Sequence, residues 1–138
     1  AAAARAAVDE LLDELAAAPL PPLASDMDRS SSASALFSRS DEQPPVSELK
    51  RRFLTIQALE TARCFEEGVL THAEDADIGS IFGWGFPAWT GGTLSWIDTI
   101  GIREFVAECD RMAASYGERF QVSDWLRARA ADGQDFYG

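Results

Sequence analysis

Several residue types are nearly or wholly missing from these 138 residues. There is no asparagine, one histidine (His72), one lysine (Lys50) and two cysteines, Cys64 and Cys109. Two cysteines with no second thiol or histidine at ligand spacing make neither a disulfide framework nor a zinc site. Basic residues are scarce too: 12 Lys and Arg stand against 23 Asp and Glu, for a net charge of −11. That balance excludes a nucleic-acid role, which needs a basic face to neutralise phosphates, and docking on an anionic membrane. No apolar run reaches the roughly 18 to 20 residues needed to span a bilayer. The alanine-rich start meets Asp9, Glu10, Asp13 and Glu14 within its first turns, which the h-region of a secretory signal does not tolerate. A reducing, cytoplasmic setting is the expectation. The hydrophobic content of 46% is that of a folding chain.

What is present reads as helix. Over residues 3–18, Ala4, Val8, Leu11, Leu12 and Leu15 recur at three- and four-residue steps opposite the acids just named, until Pro19, Pro21 and Pro22 intervene. Residues 1–18 are therefore expected to form an amphipathic helix, with a stripe too narrow to be stable without a partner surface. Residues 19–45, rich in Ser and Pro, read as an extended linker, with Leu36 and Phe37 its only large apolar pair. Both halves are acidic, with three basic and eight acidic residues before Val46 and nine and fifteen after it.

Residues 46–138 read as one small all-α domain. Ser47 is the expected N-cap of a long helix carrying Leu49, Phe53, Ile56, Leu59, Ala62, Phe65 and Val69, widened by Leu54, Ala58 and Cys64 and ended by Gly68. Thr71-His72-Ala73-Glu74 has the capping-box pattern for a short helix through Ile81 or Phe82. Gly83 to Gly92 is expected to be an irregular but packed path. Leu94 to Ile100 makes one or two turns before a break at Gly101. Ile102, Phe105, Val106, Cys109, Met112, Ala113 and Tyr116 form the cleanest amphipathic pattern, stopped by Gly117. Ser123 caps a last helix with Trp125, Leu126 and Ala130, which ends near Gly133, and Phe136-Tyr137 closes the chain as an aromatic latch. Nothing alternates with period two.

Few residues are candidates for chemistry. The Gly83–Gly92 loop is neither a dinucleotide fingerprint nor a Walker loop, so it reads as a structural corner with Pro87 and Trp89 as core anchors. Trp84, Trp89 and Trp96 read as core and not as an adenine-stacking platform. His72 reads as a solvated residue at a helix start. Glu74, Asp75 and Asp77 are the acids a first helical turn favours, not a metal site. Cys64 and Cys109 read as small core residues. Lys50, Arg51 and Arg52 read as a solvated helix start with local ion pairs. No catalytic, cofactor-binding or metal residue is assigned.

One ordered series of motifs is informative as a set. It comprises Glu60, Arg63-Cys64-Phe65-Glu66-Glu67-Gly68, Ala73-Glu74-Asp75-Ala76-Asp77, Gly83-Trp84-Gly85-Phe86-Pro87-Ala88-Trp89-Thr90-Gly91-Gly92 and Trp96-Ile97-Asp98-Thr99-Ile100-Gly101. It continues through Tyr116-Gly117, Arg119-Phe120, Leu126, Ala130, Gly133 and Phe136-Tyr137. Together these resemble the C-terminal helical domain of 3-hydroxyacyl-CoA dehydrogenase, and more narrowly the last helical repeat of the multifunctional α-subunits of fatty-acid β-oxidation. The resemblance covers about residues 47–138. It marks Glu60, Arg63, Glu67 and Gly68 as a helix motif, and Gly83, Gly85, Phe86, Pro87, Gly91, Gly92, Asp98 and Gly101 as a structural loop motif.

The resemblance implies NAD as cofactor of the full-length enzyme, with the catalytic His–Glu pair on a Rossmann domain that this sequence does not contain. Where the related first repeat has an asparagine before the helix glutamate, Leu59 precedes Glu60. The implied role is a catalytically silent module that buttresses the dehydrogenase domain, completes its acyl-CoA cleft from behind, and contacts hydratase or thiolase parts. A second reading is a free-standing dimerisation or acyl-CoA-binding module. A third, in which the chain itself oxidises 3-hydroxyacyl-CoA, requires a partner chain supplying the nicotinamide site.

Overall fold

The computed structural model describes residues 43–138. The helix expected over 1–18 and nearly all of the linker over 19–45 lie outside these residues. Within them the chain is all-α: five helices, two short 3-10 turns and no strand. The helices are α1 (Val46–Glu66), α2 (Ala73–Trp84), α3 (Thr93–Ile100), α4 (Ile102–Tyr116) and α5 (Asp124–Asp132). The 3-10 turns, Ala88–Thr90 and Glu118–Phe120, precede α3 and α5.

The centre is α3, the shortest helix. It packs against α1, α2 and α4, and Leu94, Trp96 and Ile97 are all buried. An eight-residue helix is not stable in water alone; this one is held by what surrounds it. Around it close Leu54, Ala58, Leu59 and Ala62 from α1, Phe105 and Cys109 from α4, and Leu126 from α5. Phe65, Trp125 and Phe136 seal one end as a ring cluster with centroids 5.6–6.4 Å apart.

The helix ends differ from expectation in two places. Helix α1 starts at Val46 with Pro45, not Ser47, at the N-cap, and no side chain caps it. Pro45 has the extended backbone of a cap (φ −53°, ψ 145°), and its carbonyl takes the Leu49 N–H at 3.1 Å. The Thr71 capping box does not form: His72 is the N-cap of α2, and Thr71 Oγ1 pairs with His72 Nδ1 at 3.0 Å instead. The other end of α1 is a full Schellman turn. Gly68 (φ +73°) donates to the Phe65 carbonyl and Val69 to that of Cys64, the 5→2 and 6→1 pattern that needs a left-handed residue at C′.

The Gly83–Gly92 path is more regular than expected. Gly83 and Trp84 belong to α2, and Ala88–Thr90 is a 3-10 turn. Only residues 85–87 and 91–92 are irregular.

Candidate interaction face

The acids of α2 divide by position. Glu74 and Asp75 stay at the surface beside exposed His72, whereas Asp77 is buried, at 3% exposure. Its carboxylate faces the start of α3. Oδ1 accepts the Leu94 N–H at 2.7 Å, and Oδ2 accepts the Ser95 N–H at 3.1 Å and the Ser95 hydroxyl at 2.6 Å. Ser80, one turn further along α2, accepts the Thr93 N–H at 3.3 Å. The first-turn amides of α3, which have no partner within their own helix, are thus satisfied by side chains of α2. Asp77 is an N-cap supplied from another helix. Its charge also suits the positive end of the α3 dipole.

The loop motif serves that junction. A Cβ on Gly92 would lie 2.3 Å from the Asp77 Cβ, at a φ of +121°. Thr90 Oγ1 donates to the Pro87 carbonyl and receives the Gly92 N–H. Gly85 ends α2, and Gly91 precedes α3. Phe86 is buried while Pro87 is half-buried and Trp89 is 45% exposed, so the core anchor of this loop is Phe86 and not Pro87 or Trp89. The α3 N-terminus, where a cradle would hold a phosphate, is filled by Asp77.

The end of α3 is fixed in a similar way. Asp98 accepts the Phe136 N–H at 2.9 Å and the Tyr137 N–H at 3.0 Å, tying the chain's last residues to the core. Its pKa lies above the ordinary carboxylate value because burial outweighs the two amide bonds that pull the other way. Gly101 is the one-residue joint between α3 and α4. In the helix motif, Arg63 pairs with Glu60 and donates to the carbonyls of Arg119 (3.1 Å) and Gln121 (2.7 Å). It thereby clamps the turn before α5 onto α1, while Glu67 caps α1 at the surface.

The basic triplet separates as well. Arg51 lies 3.9 Å from Glu108, Arg52 sits over the Tyr116 ring at 3.9 Å, and Lys50 lines an open groove. Cys109 is buried and its thiol is pushed up to about 12, so it is inert at neutral pH. Cys64 is half-buried at the other end of the groove.

That groove is the candidate site. The long apolar stripe of α1 is split by the fold. Leu54, Ala58, Leu59 and Ala62 face the core, while Phe53 is 63% exposed and Ile56 half-buried. Along the outer side of α1 a depression of about 550 Å³ lies between Lys50, Phe53, Gln57, Trp84 and Trp89. Another, of about 350 Å³, follows between Ile56, Glu60, Cys64, Val69 and Trp84. Trp84, 56% exposed, lines both. Only Trp96 of the three tryptophans expected in the core is buried there; Trp89 meets it edge-on at 5.7 Å and leaves the rest of its surface open. On α2, Ile78 and Phe82 (84% exposed) add a second apolar ridge. Large contiguous apolar surface of this kind marks an interaction site.

Among the described residues no group of three or more His, Cys, Asp or Glu side chains is placed to hold a metal. None of their helices is long and apolar enough to cross a membrane.

No family model matches the chain. Individual proteins do. It is 50% identical over 80 residues to a Pseudomonas syringae pv. tomato protein named fatty acid oxidation complex subunit alpha. This chain is similar to part of that subunit. A Shewanella frigidimarina protein of the same name is 48% identical over 84 residues, and one from Shewanella amazonensis 39% over 90. The three matches take in 58%, 60% and 65% of this chain. The chain, in turn, spans only 11–13% of the length of these alpha subunits.

Sequence reasoning missed the hub role of Asp77 and the openness of the groove. The proximity of Asp77 to Leu94 is a tertiary fact, and in sequence it is one more acid in a helix start. The groove had a signal, an α1 stripe too wide for a single buried side.

Proposed function

We propose that the chain is a structural helical module of a multifunctional fatty-acid β-oxidation enzyme, a unit that carries no catalysis of its own. The observation that carries this reading is the open apolar surface on α1 and α2, in a chain similar to about a tenth of an alpha subunit. Exposed Phe53, Phe82, Trp84 and Trp89 make apolar surface of the kind that a neighbouring domain or chain covers. By the same reading the enzyme is an NAD-dependent 3-hydroxyacyl-CoA dehydrogenase. This unit buttresses its catalytic domain, completes its acyl-CoA cleft from behind, and meets its hydratase or thiolase neighbours. NAD does not fit the described residues: they include no strand leading into a glycine-rich turn, and the Asp77 carboxylate takes the α3 amides. The cofactor belongs to another domain.

The test is the intact mass of the protein captured from its own cell with an antibody to α5. A mass several-fold above 15 kDa is expected. A mass near 15 kDa overturns the module reading and favours the free-standing one, in which the same face closes a homodimer.

A further inference from the structure

We infer that the outer face of α1 around Phe53 docks an acidic protein segment from a neighbouring domain or chain, one that presents a large apolar side chain between carboxylates. The charges of the fold single out this place. Nine of the described residues are Lys or Arg. Arg51, Arg63, Arg111 and Arg127 meet carboxylates, and Arg103 and Arg129 meet backbone carbonyls. Lys50, Arg52 and Arg119 meet neither among the described residues, although the chain carries 23 acids for 12 bases.

These three cations gather at one aromatic ring. Arg52 and Arg119 line a depression of about 120 Å³ with Phe53, Ile56 and Phe120. Lys50 lines the neighbouring depression, on the Trp84 side, again with Phe53. Phe53, 63% exposed, is thus the wall that the two share. Arg52 is already posed for a partner. Its guanidinium sits over the Tyr116 ring at 3.9 Å, a stacking that uses the face of the group and leaves its N–H edge for a carboxylate. The carboxylate beside that ring is taken: Glu48 accepts the Tyr116 hydroxyl at 2.7 Å and pairs with Arg111.

The chemistry of the occupant follows. Water solvates the three cations but not the ring between them, so a complementary surface brings carboxylates and apolar area together. The depression beside Phe120 takes a side chain and not a small molecule, whose pockets run from about 300 Å³ upward. A polyanion such as nucleic acid meets a chain of net −11, whereas a short acidic segment meets only the local cations, within a Debye length of about 8–10 Å. The inference rests on the module reading for the existence of a neighbour and adds that neighbour's chemistry. It leaves the Ile78–Phe82 ridge unassigned.

Position 53 is the place to ask. The photo-crosslinker p-benzoylphenylalanine is set there in the protein as its own cell makes it, irradiated, and the joined peptide is sequenced by mass spectrometry. A peptide from outside these 138 residues is expected, with Asp or Glu on both sides of the joined apolar residue. The double variant Lys50→Glu, Arg119→Glu should lower the yield at least about tenfold. Raising salt from about 0.05 to about 0.5 M should lower it severalfold, and this arm decides even where the charge-reversed chain folds poorly. A joined peptide from these 138 residues overturns the inference, since it puts a second copy or this chain's own remainder on the face. So does a neutral or basic peptide, a lipid, a nucleotide, no adduct at all, or a yield indifferent to charge and salt. None of these outcomes moves the intact mass, which tests the module reading separately.

Discussion

Tyr137 and Asp77 lie 60 positions apart in sequence, and the Tyr137 hydroxyl donates to Asp77 Oδ2 at 2.7 Å. The same carboxylate takes the amides of Leu94 and Ser95, so one buried group joins α2, the start of α3 and the end of the described chain. Asp77→Ala leaves the buried amides without acceptors and should cost about 2–4 kcal/mol. Tyr137→Phe loses one charge-assisted bond, about 1–2 kcal/mol. Urea midpoints of the two single variants and the double variant check the pairing. The double should cost less than the sum, because Asp77→Ala already removes the tyrosine's acceptor.

Two glycines separate geometry from residue type. Gly92→Ala drives a Cβ to 2.3 Å from Asp77 Cβ and 2.5 Å from its Cα, where no flexible side chain can yield. A loss above about 3 kcal/mol is expected. Gly79 lies within α2, and nothing comes within 4 Å of its added Cβ. Gly79→Ala should therefore stabilise by about 0.5–1 kcal/mol, the helical cost of glycine. Thermal melts of both variants, moving in opposite directions, are the measurement.

The contrast also shows what a one-dimensional reading reaches. Periodicity placed α3 and α4 nearly to the residue because their breaks, Gly101 and Gly117, are local, and Ser123 was legible as a cap because its hydroxyl takes the Leu126 N–H three residues on. The α3 cap was not legible, because its oxygen comes from Asp77, 17 positions upstream. Trp84 and Trp89 were misplaced for a related reason. Apolar pattern marks surface that is covered somewhere, and it does not distinguish a domain's own core from a cover supplied by other residues. The start of α1 was missed because Ser47 has the better capping side chain, yet Pro45 already carries the extended backbone of a cap.

Arg63 should not tolerate a conservative replacement. Its guanidinium reaches Glu60 and the carbonyls of Arg119 and Gln121 together, a fork geometry that an ammonium cannot match. Arg63→Lys is expected to lose about 1–2 kcal/mol and to loosen the turn before α5. Glu60→Ala removes only a partner at the surface and should stay within about 1 kcal/mol. Hydrogen exchange at Phe120 and Gln121, whose amides bond within that turn, should accelerate in the lysine variant and not in the alanine one.

Alkaline pH should release the tail. Burial, and then the bond to Asp77, push the Tyr137 phenol up to about 12, against an unfolded value near 10. A folded pKa above the unfolded one favours the protonated form, so this contribution is fully present below pH 10 and is lost as pH rises from 10 through 12. Deprotonation would also set a phenolate against the Asp77 carboxylate. The phenolate absorbance of Tyr137, isolated as the difference between parent and Tyr137→Phe, should rise near pH 12. The parent should lose its stability advantage over that variant across the same window; an advantage that persisted above pH 12 would sink the latch.

The tryptophans provide the last distinction, between what holds the fold and what waits to be covered. Trp96 is 4% exposed, and truncating a buried tryptophan to alanine costs about 3–5 kcal/mol. Trp84 is 56% exposed and lines the groove, so Trp84→Ser should leave the stability of residues 43–138 within about 0.5 kcal/mol. The serine variant should also bind less of an apolar dye than its parent, because a wall of both depressions is gone. A melting point that falls as far for Trp84→Ser as for Trp96→Ala would place Trp84 in the core after all and leave the groove without its rim.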